Sequence, residues 1–108
     1  MMSKVDFQKI GWLAPWFFSL SGLESELRRE LSPAHALFQV KALAIARRKD
    51  DDDVLFLLPE HQPPLAVVHL TWHREVKADW PFTTFYASIE DFIEQRMKPD
   101  HYTHAAGK

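Results

Sequence analysis

The chain has 108 residues, 46% of them apolar, with 13 Lys and Arg against 15 Asp and Glu and no cysteine. That size and apolar content suit one compact domain with one core. The charge balance leaves no basic footprint for nucleic acid, the apolar runs are too short to cross a bilayer, and the missing thiols exclude disulfides, zinc thiolate centres and thiol catalysis. The absence of cysteine also fits a reducing cytoplasm.

Residues 10–20 have the apolar character of a secretory signal core. Gly11 and Pro15 interrupt them, however, and Glu24, Glu26, Arg28 and Arg29 follow where a small-residue cleavage site would stand. The segment therefore reads as mature protein. Ser21 to Glu24 has the S-x-x-E form of a capping box, and Leu23, Leu27 and Leu31 recur at four-residue spacing as one apolar stripe. With Glu24 and Arg28 as an i,i+4 ion pair and Pro33 as a stop, the spacing predicts a first helix over residues 22–31.

Ala34 to Ala46 is rich enough in alanine and leucine to propagate a helix. The unbroken period-two set Phe38, Val40, Ala42, Ala44 and Ala46 favours a strand instead. Three apolar runs result, Val40 to Ala46, Val54 to Leu58 and Leu65 to Trp72, separated by turn-rich Lys49 to Asp52 and Pro59 to Pro64. Each connection is short enough for an antiparallel hairpin. Phe82 to Tyr86, behind Pro81, reads as a short edge strand. Ser88 to Asp91 repeats the capping logic, Ile89, Phe92, Ile93 and Met97 form the buried stripe of a second helix, and Pro99 is expected to end it. The tail from Asp100 to Lys108 has little to bury and is expected to be mobile. Residues 1–108 thus read as a single α+β domain, an antiparallel three- to four-strand meander flanked by an N-terminal and a C-terminal helix.

The spacing of LESEL, AIARRKDDDDVLFLL, AVVHLTW and DFIEQRM resembles a family of small uncharacterised bacterial proteins over roughly residues 20–100. Members of that family sometimes bear a label referring to ADP-ribosylation or crystallin J1. The resemblance implies no established activity, substrate, cofactor or catalytic residue.

A register follows if Lys49 to Asp52 is a four-residue loop, so that Arg47 faces Val54 and Ile45 faces Phe56. If Leu58 also faces Leu65, then Phe56 faces Val67 and Val54 faces His69. One face then carries Val40, Ala42, Ala44, Ala46, Leu55, Leu57, Ala66, Val68, Leu70 and Trp72. The other carries Ile45, Phe56 and Val67 as a central apolar row and turns polar at one end with Arg47, His69 and Thr71. Two helices cover one face well. The second needs either the aromatic segment of Trp12, Trp16, Phe17 and Phe18 or a protein partner, a two-fold homodimer being the preferred expectation with Ile45, Phe56 and Val67 as its interface.

Among chemistry-bearing residues, Arg47, His69 and Thr71 form the one polar group that this register assembles, with Arg47 as an anion anchor and His69 as acid or base. His69 and His73 lie about 13 Å apart along a strand and cannot easily share one ion. His101 and His104 fall in the expected tail, and His35 is a loop residue. Asp50 to Asp53 lacks the alternation, glycine and late glutamate of a calcium loop and reads as a solvated turn. No metal or cofactor site is expected. The resulting expectation is a small cytoplasmic interaction or assembly module, with no nucleic acid and no membrane among its partners. The alternative is a small-ligand binder or enzyme at the Arg47, His69 and Thr71 end of the sheet.

Overall fold

The computed structural model describes residues 4–20 and 22–106. The fold is α+β, built on an antiparallel sheet of five strands in chain order: β1 Trp16–Phe18, β2 Leu43–Arg48, β3 Asp53–Leu57, β4 Leu65–His69 and β5 Thr83–Tyr86. The fifth strand is β1, taken from the aromatic N-terminal stretch and paired with β2 through Trp16↔Arg48 and Phe18↔Ala46. With Pro15 just before it and only three residues, it leaves no alternating pattern long enough to read in sequence.

Helices cover both faces. On one side lies α1, Glu24–Glu30, with Leu27 and Leu31 packed on Leu37, Ala44, Val54, Phe56, Ala66 and Val68. On the other lie the 3-10 turn Lys4–Lys9 and a helix running through α2 Ile89–Phe92, a π-helical stretch Ile93–Met97 and α3 Lys98–Ala106. Phe7, Phe92 and Met97 from that layer, with Trp16 of β1, pack on Ile45, Ala46, Leu55, Leu57, Leu65 and Val67. Because β3 is central in a sheet covered on both faces, all five of its residues are buried, which is why its sequence after Asp53 reads as an uninterrupted apolar run. Trp16 is held edge-on against Phe92, with ring centroids 5.1 Å apart, and its Nε1 donates to Asp100 Oδ2 at 2.8 Å. A buried indole needs such a partner for its N–H.

Several expectations need correction. The sheet has five strands rather than three or four, and the aromatic segment contributes one of them. The strand expected from Val40 begins at Leu43, since residues 33–40 turn instead and Gln39 sits in the left-handed region at φ 64°. Ile45 is the extra residue of a bulge between Ala44 and Ala46, so Ala44, not Ile45, lies opposite Phe56. The β3–β4 register is one residue away from the expected one: Leu57 pairs with Leu65, Phe56 with Ala66 and Asp53 with His69, while Leu58 N–H closes the loop onto Pro64 O at 2.7 Å. A one-residue slip exchanges the faces of a strand. Ile45, Phe56 and Val67 therefore form no row, with Phe56 under α1 and the other two under the C-terminal helix. All three are buried within the chain, at 0%, 0% and 3% exposure, so the apolar surface that called for a dimer is covered from within.

Ser88 caps α2 as expected, its Oγ accepting from Asp91 N–H at 3.1 Å. The corresponding Ser21 of the first helix lies outside the described residues. Glu24 Oε2 accepts from Ala44 N–H at 2.7 Å and so ties α1 to β2. Pro99 does not end the second helix: it is the second residue of α3, directly after the π-helical stretch, where Lys98 N–H reaches back to Ile93 O. The widened turn relieves the clash that a proline ring makes with the carbonyl four residues earlier. Asp100 to Ala106, expected as tail, is helix, anchored by Asp100 and by the His101 Nδ1 bond to Ala14 O at 2.8 Å.

Candidate functional site

The polar groups of the expected site separate. Arg47 pairs with Val54 and so belongs to the α1 face of the sheet, whereas His69 pairs with Asp53 on the opposite face, toward the C-terminal helix. Thr71 lies beyond β4, with its N–H and hydroxyl turned to Glu30 of α1. The Arg47, His69 and Thr71 constellation therefore does not exist. The slip that separates it gives His69 a different set of neighbours.

Asp53 opens β3 and His69 closes β4, directly across from each other. Although Asp53 reads as a turn residue in sequence, its side chain is only 8% exposed. Its Oδ1 accepts from His69 Nδ1 at 2.8 Å, and its Oδ2 accepts from Arg96 of the π-helical stretch. Arg96 Nε donates to Asp100 Oδ2 at 2.8 Å, and the same oxygen stands 3.1 Å from Arg48 Nη1. Arg48 in turn holds Asp50 through two N–H bonds of 2.8 and 2.9 Å. Asp51 Oδ1 lies 3.8 Å from His69 Nδ1. The hydrogen bond to Asp53 raises the pKa of His69 against the opposing effect of burial, and the charges of Asp53, Asp51 and Asp52 add to the rise. Beside the network is a cleft of about 280 Å³ lined by Asp53, Val67, His69, Trp80, Phe82, Thr84 and Arg96.

A second node lies at the other end of the same loop region. Glu30 is fully buried, and its Oε1 accepts from Thr71 N–H at 2.8 Å and Thr71 Oγ1 at 3.1 Å. Its Oε2 accepts from Trp72 N–H at 2.8 Å, fixing Trp72 in the left-handed region at φ 62°. Burial pushes the Glu30 carboxyl up to about 7, a hydrogen bond with Glu26 adds to the rise, and the bonds from Thr71 and Trp72 oppose it. The chain from Leu70 to Phe82 leaves β4 here without regular structure and exposes Trp72, Val76, Trp80 and Phe82. Trp72 Nε1 also donates to Asp52 Oδ1 at 3.2 Å, which joins this segment to the acidic loop.

His35, His61, His101 and His104 have partners in the scaffold. His35 Nδ1 accepts from Leu37 N–H at 2.9 Å, which leaves Nε2 as the protonated nitrogen, donating to Pro81 O at 2.9 Å. That pair of bonds fastens the turn at residues 33–40 to the start of β5. His101 and His104 turn to Ala14 O and Asp50 and do not face a common ion. A cavity of about 510 Å³ between α1 and residues 37–43 lies away from the ion-pair network, and Glu24 on its wall accepts from Ala44 N–H.

Arg96, Asp53 and Glu30 escaped the sequence reading. Arg96 carried one usable signal, its i,i+4 spacing to Asp100, which matters only if the helix crosses Pro99. Asp53 is a charged residue at the margin of the β3 apolar run, and its burial depends on the register. Glu30 looked like any helix-end carboxylate.

No family model, curated protein or solved structure matches the chain. Among the described residues, no helix is long and apolar enough to cross a membrane.

Proposed function

We propose that the protein is a small binding module that recognises a positively charged segment of a partner protein on the surface formed by residues 70–82 and the Asp50–Asp53 loop. The observation that carries this reading is the concentration of exposed apolar side chains on one irregular segment. Trp72, Val76, Trp80 and Phe82 are 45%, 83%, 39% and 59% exposed, in a chain whose central strands are almost completely covered. Single exposed apolar residues need no explanation, but grouped ones rimmed by charge mark interaction surfaces. Tryptophan is also the residue type most often found at the energetic centre of such surfaces.

The acidic loop supplies the complementary sign. Asp50 is matched by Arg48 and Asp53 by Arg96 and His69, while Asp51 and Asp52 are exposed beside Trp72 and His69. A partner segment carrying Lys or Arg among apolar residues would lay its stems on the rings and its charges against these carboxylates. The family resemblance of the sequence adds no activity to this reading.

Titration of a Lys- and Arg-rich apolar peptide against the tryptophan fluorescence of the full chain tests it, with a Glu-rich peptide of the same length as control. The basic peptide should bind, weaken with added salt, and weaken at least tenfold on the Trp80→Ser, Phe82→Ser double substitution. Equal binding of the two peptides, or a double variant that binds as well as the original, would overturn the reading.

A further inference from the structure

We infer that Asp51, Asp53 and His69 form a binding site for a first-row divalent transition-metal ion, a site that shares the acidic loop with the partner surface proposed above but is argued from its own geometry. Its geometry comes from the sheet. Asp53 and His69 are directly opposed across β3 and β4, and Asp51 precedes Asp53 by two residues, bringing its carboxylate to the same imidazole. One donor atom from each of the three side chains lies within 4.8 Å of the other two.

The three donors converge on a single atom. His69 Nδ1 is 2.8 Å from Asp53 Oδ1 and 3.8 Å from Asp51 Oδ1. The Nδ1 proton occupies the position where both carboxylates are directed, and an ion would take its place. Ligands held at about 2.0–2.2 Å from such an ion stand about 3 Å from each other. Asp53 then needs a shift of a few tenths of an ångström and Asp51 a shift of about 1 Å, which is open to an exposed loop side chain.

The surroundings favour this use. Arg96 binds the other oxygen of Asp53, so Oδ1 is oriented toward His69 by a partner that is itself held by Asp100. Outer partners of that kind are what fix ligating carboxylates in metal sites. The guanidinium lowers the attraction for a cation, but Asp51 and Asp53 still offer two negative charges to it. One imidazole nitrogen with two carboxylate oxygens suits zinc, cobalt or manganese better than calcium, which takes six to eight oxygens. Three protein ligands leave further coordination positions, and His69 and Asp53 both line the cleft beside Trp80 and Phe82. Water or a partner's donor atom can complete the set from there.

The test is calorimetric titration of the full chain with Zn²⁺, together with visible absorption on adding Co²⁺. We expect one ion per chain, cobalt d–d bands, and at least a tenfold loss of affinity in His69→Ala and in Asp51→Asn. Both substitutions are at partly exposed positions, and far-ultraviolet circular dichroism confirms that the variants fold. His104→Ala should bind as the original does. Absence of zinc binding at millimolar concentration, tighter binding of Ca²⁺ than of Zn²⁺, or unchanged affinity in either His69→Ala or Asp51→Asn would overturn the assignment.

Discussion

Glu30 gives the sharpest prediction because its side chain, beside the bond from Glu75 N–H to Glu30 O at 3.2 Å, ties the end of α1 to the start of the 70–82 segment. It closes α1, and its two oxygens take the N–H groups of Thr71 and Trp72 and the Thr71 hydroxyl, where the chain leaves β4. Glu30→Ala would leave two backbone donors without their acceptor at the end of α1, whereas the Thr71 hydroxyl keeps Glu75 Oε2 at 2.7 Å. Each orphaned donor costs about 1–3 kcal/mol, offset in part by no longer burying a carboxyl group, so a loss of about 2–4 kcal/mol is expected. Against the 5–15 kcal/mol usual for a domain, that is a large fraction. Urea unfolding followed by tryptophan fluorescence measures the loss, and amide exchange at Thr71 and Trp72 locates it. A loss under about 1 kcal/mol, with both amides as protected as before, would refute the claim that this carboxylate holds the start of the 70–82 segment.

The same group ties stability to pH. Its folded-state pKa of about 7 stands above the unfolded value of 4.5, so between those values the native chain holds a proton that the unfolded chain releases. The resulting stabilisation is complete below pH 4.5 and is lost as pH rises through about 7, amounting at most to about 3 kcal/mol. Glu26 works in the other direction. Burial raises its pKa, but the hydrogen bonds with Glu30 and Arg29 and the charges of Arg29 and His73 leave it lowered overall. Stability measured from about pH 5 to about pH 8 should therefore fall, and Glu30→Gln, which cannot ionise, should flatten that part of the profile. A Glu30→Gln profile parallel to the original would remove Glu30 as its source.

Three further substitutions probe the scaffold. Asp100→Ala removes the acceptor shared by Trp16 Nε1 and Arg96 and should lower stability by about 2–3 kcal/mol in urea, with a shift in tryptophan emission. Phe56→Ala should cost about 3–5 kcal/mol by the same assay, and a variant as stable as the original would contradict the burial of that ring. Ser88→Ala, which deletes the cap on α2, should cost about 1 kcal/mol and lower the helical circular dichroism slightly.

Much of the sheet could be read from the sequence because β3 and β4 are apolar runs bounded by dense turn signals, and because Ser88 announces a helix by a local hydrogen bond. What escaped was decided elsewhere. β1 is too short for a period, and Pro99 is accommodated by a π-helical stretch that no residue in Ile93–Met97 advertises. The bulge at Ile45 and the offset between Leu58 and Leu65 each amount to one residue. Hydrophobicity could not choose between registers here, because both faces of the sheet are buried and either alternation is apolar. The expected site fails for this reason: Arg47 does stand opposite Val54, whereas His69 stands opposite Asp53 on the other face of the sheet.

Core packing and the polar chemistry are consequently one structural choice. The register that turns Phe56 under α1 against Leu27 and Leu31 is the register that sets His69 across from Asp53. The alternative would place His69 beneath α1 beside Val54, with Val67 on the same face, where burial disfavours the charge of an imidazole. The observed pairing instead places Asp53 between two hydrogen-bond donors, the Arg96 guanidinium from the helix and the His69 imidazole from the neighbouring strand. The cost of burying the Asp53 carboxylate is thereby offset by groups that need the same register. This gives polar residues at the strand ends a part in specifying the register of a sheet whose apolar interior leaves it degenerate, and it leaves Asp51, His69 and the aromatic residues of the 70–82 segment on a surface accessible to ions and partners.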